Sequence, residues 1–231
     1  MKKALFITAG LLVCFLIWSQ NPVKTEDKIF NYGAKVGLNS SFPIINRISI
    51  NGVGAENLSF HYKVGLSGAV FCRINFDDFF VQPSLQWRHS SGDILYDLPS
   101  LEASMEVKPP GYLLTFKENA LEAPILIGYK IVKEGAYGLS FMAGPNIKYL
   151  YDVQYGFGHS EYQANNTPWE IGIACGVGVS IGRFFFDFTY EFGLNQVDSD
   201  FRYYSYSVAE RSDLTIDKRT NMLSFSLGFL F

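Results

Sequence analysis

Few residues of this chain could do chemistry. His89 is followed by Ser90 and Ser91, and the other two histidines, His61 and His159, also stand near serines. An imidazole beside a hydroxyl can activate it as a nucleophile for acyl transfer. That reaction needs a third group to orient the imidazole, and no spacing here supplies one. No residue is therefore assigned a catalytic role. Asn195, Asp198 and Asp200 could hold Ca²⁺ through oxygen, but they lack the spacing and the glutamate of a defined calcium loop, so a solvated polar loop is expected. No metal or other cofactor is expected. The N-x-S/T triplets at Asn39, Asn57 and Asn165 would matter only in a eukaryotic secretory pathway.

A second set of polar residues recurs at alternate positions inside apolar runs: Lys35, Lys63, Arg88, Glu122, Lys148, Glu170, Asp187 and Glu191. Period two in a strand puts such residues on one face. If the runs are neighbours in a closed sheet, Arg88 faces Glu122 and Lys148 faces Glu170. Asp187 then reaches over small residues of the last strand to Lys35. Charges enclosed in this way satisfy one another, as burial requires. The expected role is a structural plug; a narrow solute or proton path is the functional alternative.

The elements that would position these charges begin with the final residues. Leu223, Phe225, Leu227, Phe229 and Phe231 alternate with Ser224, Ser226 and Gly228. A strand ending on an aromatic is the arrangement expected of a bacterial outer-membrane barrel, with Phe231 as the closure and assembly signal. Seven earlier strands read the same way: 30–40, 60–74, 79–90, 121–131, 137–150, 169–182 and 183–194. Each has roughly the length that crosses an outer membrane. The joins alternate. Asn75–Asp78, Lys133–Ala136 and Gly182–Arg183 are short, whereas 41–59, 91–120, 151–168 and 195–220 are long. Short periplasmic turns and long outer loops follow that rule. The expected fold is an all-β, eight-stranded antiparallel transmembrane barrel. A soluble eight-stranded barrel would invert the pattern, with its apolar face inside.

Composition agrees. Aromatic residues make up 16% of the chain and glycine contributes 21 residues. Residues 1–20 read as a signal peptide, with Lys2 and Lys3 before an apolar run. Residues 21–29 would form a short periplasmic segment and 30–231 the barrel. Removing the signal leaves 17 basic residues against 22 acidic ones, a balance that does not seek nucleic acid. Cys72 and Cys175 fall on the lipid-facing register of the second and sixth strands, on opposite walls of a ring of eight. Those walls are roughly 15 Å apart, whereas a disulfide needs Cα atoms within roughly 7 Å. Both thiols are expected free.

Gly33-Ala34-Lys35-Val36-Gly37-Leu38-Asn39, Val81-Gln82-Pro83-Ser84-Leu85, Leu121-Glu122-Ala123-Pro124-Ile125-Leu126, Met142-Ala143-Gly144-Pro145 and Leu223-Ser224-Phe225-Ser226-Leu227-Gly228 together resemble the PorT-type outer-membrane β-barrel family of Bacteroidota. The resemblance implies an eight-stranded barrel in the cell outer membrane and, for the founding member, a part in a protein-secretion apparatus. It supplies no catalytic residue. It also implies that the prolines at 83, 124 and 145 are tolerated, and bulges are the expected reason. The function expected is a non-enzymatic membrane anchor or accessory subunit that binds other envelope proteins through its outer loops. Tyr96, Tyr112, Tyr151, Tyr155, Tyr162, Tyr203, Tyr204 and Tyr206 cluster in or near those loops, where they serve either partner binding or membrane-edge anchoring. Outer-membrane lipid and the barrel-assembly machinery are the other expected partners. The alternatives are a narrow solute channel and a lipid-modifying enzyme.

Overall fold

The computed structural model describes residues 29–50, 53–54, 56–97, 112–134, 137–157, 160–163, 165–204 and 211–231. The expected signal peptide, nearly all of the expected periplasmic segment, His159 and Tyr206 lie outside them, as do the side chains of Tyr112, Tyr162, Tyr203 and Tyr204. The strands are β1 (Phe30–Ile50), β2 (Val53–Gly54), β3 (Glu56–Tyr62), β4 (Gly65–Phe76), β5 (Phe79–Asp97), β6 (Tyr112–Glu134) and β7 (Tyr137–Phe157). They continue as β8 (Ser160–Gln163), β9 (Asn165–Asn166), β10 (Trp169–Ile181), β11 (Phe184–Gly193), β12 (Val197–Tyr204) and β13 (Arg211–Leu230). Alternation is the cause: exposed apolar residues stand at every second position and small, polar or aromatic residues turn inward.

Eight strands close a ring in the order β1, β4, β5, β6, β7, β10, β11, β13, and β13 pairs back onto β1. All these pairings are antiparallel. Following the register round from Phe30 through Ile74, Val81, Ile127, Ala143, Cys175, Tyr190 and Leu223 returns to β1 at Ser40, ten residues further on. A stagger of that kind tilts the strands by about 35–45°. At the seam, Phe231 N–H donates to the Tyr32 carbonyl at 2.9 Å, and the two rings stack at 5.6 Å.

The interior is filled by a repeated device. Inward glycines Gly33, Gly92, Gly128 and Gly228 pair directly across the ladder with inward aromatics Phe71, Phe116, Phe80 and Phe185. A Cβ at any of the four would meet the partner's ring, at distances from 2.0 Å (Gly128, Gly228) to 2.7 Å (Gly92). The missing side chain is the space into which the ring folds.

Three expectations are corrected by the structure. The first concerns the long loops, much of which is strand. β1 runs to Ile50 instead of Ser40, β5 to Asp97, β7 to Phe157, β6 begins at Tyr112 and β13 at Arg211. Where β10 and β11 end, the wall divides into two runs, β2–β1–β13–β12–β9 and β3–β5–β6–β7–β8. They close on an apolar core formed by Ile48, Val197 and Ile216 from one run and Ile94, Leu114, Phe116 and Val153 from the other. Tyr96 and Tyr155 are buried in this core and are not part of a loop surface. A second buried cluster gave the strands a reason to continue past the membrane.

The second correction concerns the second strand, which breaks between Tyr62 and Gly65, so β3 pairs with β5 and not with β1. The break resets the alternation. Lys63 leaves the lumen, its side chain 48% exposed, and donates to Asp93 Oδ1 at 2.7 Å. Burial opposes ionisation of Asp93, but the bonds from Lys63 and from Thr115 Oγ1 (2.8 Å) outweigh it and hold the carboxyl below the usual range.

The third concerns the prolines, none of which sits at a bulge. The ladder lapses at Cys72–Arg73 opposite Gln82–Pro83, at Ser84–Leu85 opposite Ala123–Pro124, and at Ile125–Leu126 opposite Gly144–Pro145. The register is the same on both sides of each lapse. Each proline withholds one N–H, and the bonds on either side keep the strands aligned.

Cys72 on β4 and Cys175 on β10 are free and four places apart in the ring. Alkylation of the unreduced, denatured protein, read by intact mass, is expected to modify both thiols. An intramolecular disulfide between them would contradict the strand order.

Candidate functional site

The lumen holds a compact ion network. Arg88 on β5 places Nη2 2.6 Å from Glu122 Oε2 on β6 and Nη1 3.6 Å from Glu191 Oε2 on β11. Lys148 on β7 lies 2.9 Å from Glu170, 3.1 Å from Glu191 and 3.9 Å from Glu122. Asn146 donates to Glu191 at 2.9 Å and to Glu122 at 3.4 Å. Nearer the periplasmic end, Lys35 meets Asp187 at 3.3 Å across β13, whose inward residues there, Ser226 and Gly228, are small. Seven of the eight residues singled out from the sequence thus lie together; Lys63 does not.

Sequence reasoning missed several members. Asn146 occupies an inward position of the alternation, but a neutral amide gave no charge to match. Glu118 and Lys218 pair beyond the expected strand ends, with the Lys218 ammonium 5.1 Å from the Phe116 ring centre. Arg73 donates from Nε to Gln82 Oε1 at 2.8 Å and lies over the Phe80 ring at 4.4 Å.

These polar layers are capped. Below them, Phe71, Phe185 and Leu230 form one apolar cluster, and Phe80, Leu126, Met142 and Ala174 form another. Above them stands the core of the outer extension. Between the caps is a cavity of about 30 Å³ bordered by Lys35, Gln86, Arg88, Glu122, Asn146 and Glu191. Its size and lining suit one or two water molecules.

The histidines divide. His61 is exposed. His89 and Ser90, adjacent in sequence, fall on opposite faces: Ser90 Oγ turns inward and donates to Asn39 Oδ1 at 2.9 Å, while His89 turns outward. Alternation therefore separates the neighbouring Ser–His pair. Asn195 accepts from Ile171 N–H at 2.7 Å and donates to the Trp169 carbonyl at 2.9 Å, so both ends of its amide are engaged in stapling the backbone. The side chains of Asp198 and Asp200 lie outside the described residues.

Residues 18–199 match the family model described as the outer membrane protein beta-barrel domain. The crystal structure of OprG from Pseudomonas aeruginosa is similar at a TM-score of 0.57 and 10% identity, over 88% of this chain and 97% of that one. A major outer membrane protein from Thermus thermophilus is similar at 0.46 and 11% identity, over 86% and 99%. At these identities the likeness concerns the fold, and only the first of the two is close enough to bear on it. No curated protein matches the chain in sequence.

Proposed function

The chain belongs to the outer membrane protein beta-barrel domain family and resides in the cell outer membrane, and from that premise we propose that it acts as a non-enzymatic anchor or accessory subunit. The observation that carries this reading is the contrast between its two ends. The lumen is lined by paired charges and capped by apolar layers, which supports a closed barrel over a solute path. The outer end is a strand-built platform with its own core, pre-organised to present a surface to another envelope protein at little cost in ordering. The resemblance to PorT-type barrels suggests that such a partner belongs to a protein-secretion apparatus.

The test pairs two measurements. Affinity capture from detergent-solubilised outer membrane is expected to retain a defined envelope protein in fixed ratio. Planar-bilayer recording of the purified barrel is expected to show no discrete conductance steps. Recovery of the barrel alone, together with reproducible conductance, would replace this reading with the narrow channel.

A further inference from the structure

The outward face of β5, β6 and β7 carries a second constellation, unrelated to the lumen. Trp87 on β5 extends its indole across β6 and donates from Nε1 to the Tyr151 hydroxyl on β7 at 2.8 Å. Both residues remain open, 43% and 49% exposed, so the bond pins two aromatic rings without covering them. One step further out, three polar side chains lie in consecutive cross-strand register: His89, Asn119 and Asp152. His89 Nδ1 is 2.9 Å from Asn119 Oδ1, and Asn119 Nδ2 donates to Asp152 Oδ2 at 3.0 Å.

This chain of bonds has one consistent assignment. A carboxylate only accepts, so Asp152 fixes which end of the Asn119 amide is nitrogen. The Asn119 oxygen must then accept, and His89 must donate from Nδ1. In its neutral form the imidazole is thereby the tautomer whose Nε2 carries a lone pair, and Nε2 has no protein partner among the described residues. A buried structural histidine would have both nitrogens engaged. This one presents a fixed acceptor above a pinned aromatic shelf, at the height where the exposed apolar residues Leu85, Ile125 and Leu121 give way to polar ones.

We propose that this face binds a sugar ring of an outer-leaflet glycolipid. The apolar C–H face of a pyranose complements an electron-rich aromatic face, and Trp87 and Tyr151 offer such a face beside the acyl chains. A ring hydroxyl donates to His89 Nε2. Free glycan shares this chemistry, but the position of the shelf at the membrane rim selects a sugar that arrives anchored in lipid.

The test uses the full barrel in nanodiscs containing lipooligosaccharide and glycerophospholipid, with the glycolipid bound per barrel counted by native mass spectrometry. Wild type is expected to retain glycolipid over phospholipid. Trp87→Ala and Asn119→Leu are each expected to lower retention by about tenfold, the loss of one good interaction. Trp87→Phe keeps a ring but loses the pinning bond, and should fall between. Phe192→Ala, an exposed aromatic on β11, should behave as wild type. Excess deacylated oligosaccharide should displace the glycolipid. Equal retention of the two lipids, no competition by the free oligosaccharide, or equal losses in Phe192→Ala and Trp87→Ala would each overturn the proposal. Heat-modifiable migration on a gel confirms that every variant is folded before it is scored.

Discussion

Arg88→Ala is expected to destabilise the barrel by about 3–5 kcal/mol, the usual consequence of removing one partner from a buried ion pair. Arg88 is the direct partner of Glu122 and also faces Glu191. Without it, three carboxylates, Glu122, Glu170 and Glu191, share Lys148 as their one enclosed cation within 4 Å among the described residues. The penalty comes more from the carboxylate charge left behind than from the missing Arg88 bonds. The double variant Arg88→Met, Glu122→Gln should therefore be more stable than Arg88→Ala, although it removes more charge. Urea unfolding in lipid vesicles measures both. A single variant within about 1 kcal/mol of wild type would mean that water already screens the pair.

Gly128→Val is expected to be among the damaging substitutions outside the ion network. A Cβ there would lie 2.0 Å from Phe80 Cζ, inside the ring's own volume. The ring has nowhere to go: Phe80 is 0% exposed, with the Arg73 guanidinium over its face. Overpacking of a closed core costs about 1–3 kcal/mol and sometimes more. Phe80→Leu should relieve it, so Phe80→Leu, Gly128→Val is expected to fold better than Gly128→Val alone. Failure of the second substitution to help would show that the added side chain acts on the backbone and not on the ring, and refolding yield in detergent separates the two outcomes.

The outward belt, the ring of eight and the enclosed charges were legible in the sequence because alternation is a local property. Each strand announces its two faces independently of where the strand sits. The opposite-wall placement of Cys72 and Cys175 followed from strand order alone. The prolines misled for the same local reason. At 83, 124 and 145 they read as bulges, but the bonds on either side of each lapse hold the register, and that support exists only once neighbouring strands are in place.

The outer extension was decided by tertiary structure. Past the membrane the outward residues become polar and mixed, so the pattern fades in sequence just where the strands continue. What sustains them is burial of Ile48, Tyr96, Phe116, Tyr155 and Ile216 against one another, residues far apart in the chain. Lys63 left the lumen because β4 begins at Gly65, a boundary that the alternation of the second strand did not reveal. The set of His89, Asn119 and Asp152 shows the same limit most clearly. His89 drew notice beside Ser90, but strand geometry sends neighbours to opposite faces, while register brings together three residues from three strands. Period two determines which face a side chain takes; only the pairing of distant strands determines what it meets there.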